Sequence, residues 1–284
     1  MSDSAHLLPD SLVARARAAA AGGHTPVQPR AAATVVLLRD RADGPGVEAY
    51  LLRRVPSMAF AAGMHVFPGG SVDGRDADAA VAWAGPAARD WAGVLSADAP
   101  LARALVCAAV RETFEESGVL LAGPSPDTVV ADPTGAGWEA DRAALVDHSH
   151  AFADFLARRG LVLRADLVRP WAHWITPECE ERRYDTRFFV AALPTGQRTH
   201  DVGGEADRVA WVRPEDALAR HRAGAMPMLP PTVVTLAELA AFERVRDVLT
   251  AATARDVRPV LPKIVVTGDE VRMLLPGDAD YPAT

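Results

Sequence analysis

The 284 residues suffice for one large domain, or a domain with an extension, and 49% of them are apolar, ample for a packed core. A net charge of −7 argues against broad nucleic-acid or anionic-membrane binding, yet leaves room for a small phosphorylated ligand held through bound metal ions. No run approaches the eighteen apolar residues of a membrane span, the first ten residues lack a charged-then-apolar leader, and Cys107 and Cys179 stand in no metal-ligand spacing, so a reducing, cytoplasmic location is expected.

Residues 11–21, rich in Ala and Arg and followed by Gly22-Gly23, predict a short helix within an N-terminal segment, 1–29. Residues 33–38 and 47–53 are runs of strand formers around a turn rich in Asp and Gly, and read as a β-hairpin. A loop with Pro56 follows, and then a short strand, 64–67, delivers the chain to Gly69-Gly70. Residues 76–84 and 87–95 read as short helices whose Trp83 and Trp91 suit the closing of a small core better than stacking on a base. Asp98 and Pro100 supply a cap and a first-turn proline for the main helix, Ala99–Ser117, and Gly118 its left-handed exit. A strand at 119–121 and helical patterning over 138–159, broken at His148-Ser149-His150, come next. Val168–Ile175 and Tyr184–Ala192 alternate as strands, and a further strand covers 205–212. Pro214–Arg222 and 230–252 read as helices, and 260–266 with 270–275 as two strands around Thr267-Gly268-Asp269.

The chemistry concentrates in Arg111-Glu112-Thr113-Phe114-Glu115-Glu116-Ser117-Gly118-Val119. Glu115 and Glu116 lie three and four positions after Glu112, so the three carboxylates share one helix face and repel. A hard divalent cation, Mg²⁺ or Mn²⁺, is the natural counter-charge; an ordinary solvated acidic face is the alternative. Val106, Val110 and Phe114, spaced by four, form an apolar stripe that holds the helix to a core. Arg182, Arg183 and Arg187 are candidates for phosphate oxygens, or else belong to a solvated strand and turn. Trp171 and Trp174 suit an adenine ring or the core. His148, His150 and His173 raise a zinc site, against which stands the want of a third ligand at a convincing spacing.

The run R-E-U-x-E-E-x-G-U, where U is aliphatic, resembles the second half of the Nudix box at every position except Thr113, and Phe67-Pro68-Gly69-Gly70 stands where that box opens. The resemblance implies an α/β fold: a Nudix α/β/α sandwich around a mixed sheet over 30–222, with an insertion inside the box at about 71–98. A C-terminal helical and strand extension, 223–284, is then expected to pack on the core or to build a homodimer contact. Forty residues separate Gly70 from Arg111 where the usual box has thirteen, an insertion of about 27. Eight residues before Arg111 stands Arg103 and six after Gly70 stands Asp76, so the first box carboxylate is replaced by Asp76 or Asp73, or its pairing with the arginine is absent.

The split box, Trp174-Ile175-Thr176-Pro177, the run from Arg182 to Phe189 and Leu275-Pro276-Gly277-Asp278 resemble the branch that contains peroxisomal coenzyme A diphosphatases. Of the signature that leads into F-P-G-G in coenzyme A enzymes of another branch, the chain keeps Leu51, Arg54, Met58, Gly63 and Phe67. It ends in Tyr281-Pro282-Ala283-Thr284 without a Ser-Lys-Leu type of peroxisomal address, which again predicts the cytoplasm. What the resemblance implies is a Mg²⁺- or Mn²⁺-dependent hydrolase of a nucleoside diphosphate linked to another moiety, with coenzyme A or an acyl-coenzyme A as substrate. The metal ligands are then Glu112, Glu115 and Glu116, Arg111 orients them, and Glu205, with Asp201 behind it, is a further ligand or base. Arg54, Gly69, Gly70, Arg182 and Arg187 hold substrate. The alternatives are an NADH or ADP-ribose pyrophosphatase and a nucleotide-binding Nudix module that has lost hydrolysis.

Overall fold

Residues 31–38 are all apolar except Thr34, a pattern that needs cover on both faces of a strand. The computed structural model, which describes residues 8, 10–22, 24–55, 61–200 and 206–281, provides that cover. Helix α1 (Asp10–Ala20) precedes strands β1 (Arg30–Asp40), β2 (Val47–Arg54), β3 (His65–Val66) and β4 (Gly69–Ser71). A 3₁₀ turn, Gly74–Ala77, leads to β5 (Trp83–Ala84), α2 (Ala88–Val94) and the long helix α3 (Ala99–Ser117). Then come β6 (Ala122–Gly123), α4 (Ala136–Val146), α5 (Phe152–Arg159), β7 (Val162–Arg164), β8 (Val168–Ile175), β9 (Tyr184–Ala192), β10 (Ala206–Val212) and α6 (Pro214–Arg222). The chain continues through α7 (Pro230–Leu239), α8 (Val245–Thr253), β11 (Pro259–Val260), β12 (Lys263–Thr267) and β13 (Glu270–Leu274).

The main sheet has the order β10-β2-β1-β9-β8-β11, with β3 paired to β2 and β4 to β1. The pairs β1–β9 and β8–β11 are parallel and the others antiparallel, so the sheet is mixed. Val35 and Leu37 pack into the core of α3 and α5, while Val36 and Leu38 pack with Leu236 of α7 and Val248 of α8 on the other side. This is the expected α/β/α sandwich. No single described helix is long and apolar enough to cross a membrane.

Two local features make the site possible. First, β1 and β2 pair directly only where 38–40 meets 47–49. Upstream they part; β4 takes the β1 edge at 32–34 and β3 takes the β2 edge at 52–53, which leaves a cleft beside them. Second, α3 is firmly seated. Asp98 accepts a hydrogen bond from the Leu101 amide at 2.8 Å, Pro100 sits in the first turn, and Gly118 ends the helix at φ 73°, a conformation that costs any residue with a Cβ. Val106, Val110 and Phe114 are fully buried, as their spacing predicts.

Four expected elements differ. The helix expected at 76–84 is the 3₁₀ turn followed by β5: Arg103 donates to the carbonyls of Asp78, Ala79 and Val81 at 3.0, 3.2 and 2.7 Å, and β5 pairs parallel with β7, so those groups leave no helical ladder. The strand expected at 119–121 lies outside any ladder because the Gln197 amide takes both polar groups of Leu120, at 2.8 and 2.9 Å, in place of a neighbouring strand. The single helix expected over 230–252 is two, α7 and α8. The β1–β2 turn interrupts it, since the Gly46 amide donates to the Glu243 carbonyl and Asp40 accepts from the Val245 amide, each at 2.8 Å. The strand expected at 260–266 divides at Leu261-Pro262: Val260 pairs with Trp174 of β8, and β12 forms a hairpin with β13. Beyond 222, α7 and α8 complete one layer of the sandwich, and β12–β13 packs against α1.

Candidate active site

Helix α3 presents its last two turns to the glycines of β4. The Gly69 amide donates to Glu116 Oε2 at 2.7 Å. Gly70 lies flat against the neighbouring carboxylate: a Cβ there would stand 2.6 Å from Glu112 Cδ. A residue with a side chain at 70 would therefore displace Glu112.

Arg111 gathers the acidic groups. Its guanidinium donates through Nε and Nη2 to the two oxygens of Asp76, at 3.0 and 2.9 Å, and through Nη2 to the Ser71 carbonyl at 3.0 Å. Its Nη1 reaches Glu112 Oε1 at 2.8 Å and Glu115 Oε1 at 3.2 Å. The first box carboxylate is thus Asp76; Asp73 instead caps the 3₁₀ turn and pairs with Arg75, and Arg103 anchors the insertion. Thr113, the one departure from the box, is buried and satisfied by its own helix, donating to the Ala109 carbonyl at 2.7 Å.

One guanidinium here faces three carboxylates. Burial, reinforced by the charges of Glu115 and Asp76, pushes the Glu112 carboxyl up to about 7 in spite of Arg111. Burial likewise raises Glu115. Burial opposes the charge on Arg111, but the Asp76 hydrogen bonds and the nearby carboxylates more than reverse that and hold it protonated. Such an oxygen-rich surplus of negative charge fits a hard divalent cation held by Glu112, Glu115 and Glu116. Among the described residues no group of three or more His, Cys, Asp and Glu side chains stands together as a metal cage.

These groups line one end of a cavity of about 1040 Å³ that also takes in Arg54 and the exposed Arg182. Arg187 lies elsewhere. It is buried, and its guanidinium donates to the Leu95 and Ser96 carbonyls at 3.0 and 3.2 Å and pairs with Asp185, fastening the insertion to β9 rather than facing the cavity. Arg183 is buried too and bonds the Thr176 and Val27 carbonyls. The three histidines are separate: His148 lines the cavity, His150 lies beside Arg158, and His173 Nε2 is 2.5 Å from Asp185 Oδ1. Trp171 is core, its indole donating to Glu238; Trp174, mostly buried, reaches the cavity wall. Trp83 and Trp91 both donate to the Pro86 carbonyl, but the small core expected of them is not separate: Trp91 is buried in the main core against Phe189, and Trp83 packs on it. Glu205, Asp201 and Met58 lie outside the described residues.

One cavity residue had no signal in the sequence. Arg142 of α4, buried, donates through Nη1 to the Glu115 carbonyl at 2.9 Å and pairs with Glu139, bracing the end of α3 where the glutamates stand. It is 27 residues from Glu115, and only tertiary folding joins them.

Residues 92–239, half of the chain, match the family model of the NUDT19 Nudix domain. The chain belongs to the Nudix family. Among curated Nudix relatives, acyl-coenzyme A diphosphatase NUDT19 of Gallus gallus is 27% identical over 275 residues, covering 83% of this chain and 73% of that one. The protein of the same name from Homo sapiens is 28% identical over 285 residues, with coverage of 83% and 72%. In the crystal structure of a Nudix hydrolase from Alicyclobacillus acidocaldarius, 29% identical, the same fold covers 79% of this chain and 96% of that one at a TM-score of 0.65.

Proposed function

We propose that the protein is a divalent-metal-dependent hydrolase of the diphosphate in coenzyme A or an acyl-coenzyme A. The observation that carries this is the meeting of Glu112 and Glu116 with the Gly69-Gly70 backbone, with Glu115 beside them on Arg111, in a cavity large enough for a nucleotide conjugate. The names of the Gallus and Homo relatives support the coenzyme A class. When bound, a divalent cation supplies Lewis acidity to phosphate oxygens and lowers the pKa of a water. The protein's part is positional: Arg111 and Asp76 hold the glutamates, Gly69 fixes Glu116, and Gly70 leaves room for Glu112. The proton of the attacking water passes to a carboxylate of the cluster, which titrates as a group. Cys107 and Cys179, both free thiols, support a reducing compartment such as the cytoplasm.

The test is cleavage of coenzyme A, acetyl-coenzyme A, NADH and ADP-ribose, each with Mg²⁺, Mn²⁺ or EDTA, with products separated by chromatography. Metal-dependent release of 3′,5′-ADP and 4′-phosphopantetheine is expected from coenzyme A. Cleavage of NADH or ADP-ribose alone would replace the substrate, and tight nucleotide binding without cleavage would replace the enzyme with a binding module.

A further inference from the structure

Ser71, Ala32, Thr186 and Trp174 form one transverse row across β4, β1, β9 and β8, and all four line the cavity. Ser71 follows Gly69-Gly70, beside the glutamates. Trp174 stands three strand steps away, roughly 14 Å at the usual strand spacing. The cavity wall also takes in Leu12 of α1, Pro262 just after β11, which pairs with Trp174, and Met273 of β13, three apolar side chains from outside the family-matched residues 92–239, together with Glu180 and Arg182 of the β8–β9 connection.

Those outlying pieces are fastened together. Helix α1 buries Leu12 and Ala16, Arg17 donates to the Asp269 carbonyl of the β12–β13 turn at 2.7 Å, and Arg15 pairs with Glu180 at 2.8 Å. Lys263 of β12 pairs with Glu178, on the same β8–β9 connection, at 2.9 Å. The cavity thus runs from a polar end that suits a diphosphate to Trp174, about 14 Å off, and apolar side chains from both outer segments of the chain join its wall.

We propose that α1 and the β12–β13 hairpin form a subsite for an apolar group carried at that distance from the diphosphate, the acyl chain of a coenzyme A thioester. These segments then set the preference for long over short acyl groups. The inference rests on the coenzyme A reading and deepens it. An arm that is long, linear and ends in hydrocarbon fills both ends at once, and each buried methylene beyond Trp174 adds to affinity.

The experiment compares kcat/KM for coenzyme A, octanoyl- and dodecanoyl-coenzyme A in the full chain and in Leu12→Asp, Met273→Asp and Met273→Leu. Affinities for the same compounds are measured by calorimetry in the Glu116→Gln background. The ratio of dodecanoyl- to unacylated coenzyme A is expected to exceed about tenfold, two buried methylenes' worth. It should fall close to one in both Asp variants and return in Met273→Leu, with the melting temperature of each variant showing separately that it folds. An unchanged ratio in a folded Asp variant overturns the inference. If nothing is cleaved but dodecanoyl-coenzyme A still binds with this sensitivity, the subsite stands and the hydrolytic reading falls. If no coenzyme A compound binds, the inference is overturned as well.

Discussion

Asp76 and Arg111, 35 residues apart in the chain, meet inside the domain through two hydrogen bonds of 3.0 and 2.9 Å. Both side chains are almost wholly buried, so the pair is fork-to-fork and shielded from water. Removing one partner leaves the other charge without its match. The Asp76→Asn variant is expected to lose about 3 kcal/mol of stability in urea unfolding and to turn over more slowly, because Arg111 is then free to tilt toward Glu112 and Glu115. A loss below about 0.5 kcal/mol would show that the glutamates alone hold Arg111.

Glu116 is fixed by the Gly69 amide and shares its helix face with Glu112. The Glu116→Gln substitution keeps shape and hydrogen bonding while removing charge. It should cut kcat by at least about a hundredfold with little change in melting temperature. Near-normal turnover at saturating Mg²⁺ would sink the metal-ligand assignment.

The closeness of Gly70 to Glu112 has a direct consequence. Gly70→Ala puts a methyl group where the carboxylate lies, at a position without positive φ, so the effect is steric and not torsional. Metal affinity, read by titration with Mn²⁺, should fall by about tenfold or more, and stability by about 1–3 kcal/mol. Unaltered Mn²⁺ binding would mean that Glu112 relaxes without consequence for the ligand set.

In the metal-free protein burial, with the neighbouring carboxylates, pushes the Glu112 carboxyl up to about 7 from the ordinary 4.5. A carboxyl raised on folding favours the folded state below its unfolded value and withdraws that contribution as pH climbs through the folded value. Metal-free stability should therefore decline between about pH 4.5 and 7, on the order of 3 kcal/mol for this group, and Glu112→Gln should flatten the decline. Metal affinity should move the opposite way, since binding needs the ionised form. Thermal unfolding in EDTA at pH 5 and pH 8 checks the first part; parallel curves for the two proteins would refute it.

Arg187 separates two roles cleanly. Held on the Leu95 and Ser96 carbonyls, it should affect stability and not substrate affinity. Arg187→Gln is expected to cost about 2 kcal/mol through unsatisfied buried groups, with KM for coenzyme A within about twofold. A large rise in KM at unchanged stability would restore the phosphate role that its sequence context suggests.

The glutamate face, the caps of α3 and the strands β8 and β9 were legible because each rests on local spacing: three- and four-residue intervals, an Asp before a proline, alternation along a strand. What stayed hidden is non-local. Asp76 could be named as one candidate but not chosen, since the choice is made by Arg111 reaching across the insertion. Arg142, bound to the Glu115 carbonyl, leaves no periodic trace, and Gln197 replaces a strand partner by a side chain that no pattern marks. Arg182 and Arg187 look alike in sequence, yet one reaches the cavity and the other turns to the insertion.

The 3₁₀ turn that carries Asp76 comes directly after β4, before most of the inserted segment. Everything between Ala77 and Ala99 therefore hangs beside the Asp76–Arg111 pair rather than within it, tethered by Arg103 and Arg187. Length there costs little in closure entropy, about 0.6 kcal/mol per doubling; what a shorter bridge would lose is packing, because Val81, Trp91 and Leu95 are buried in the core with α3. A motif interrupted in sequence is in this way continuous in space, and the interruption has become part of the core on which the motif's helix rests.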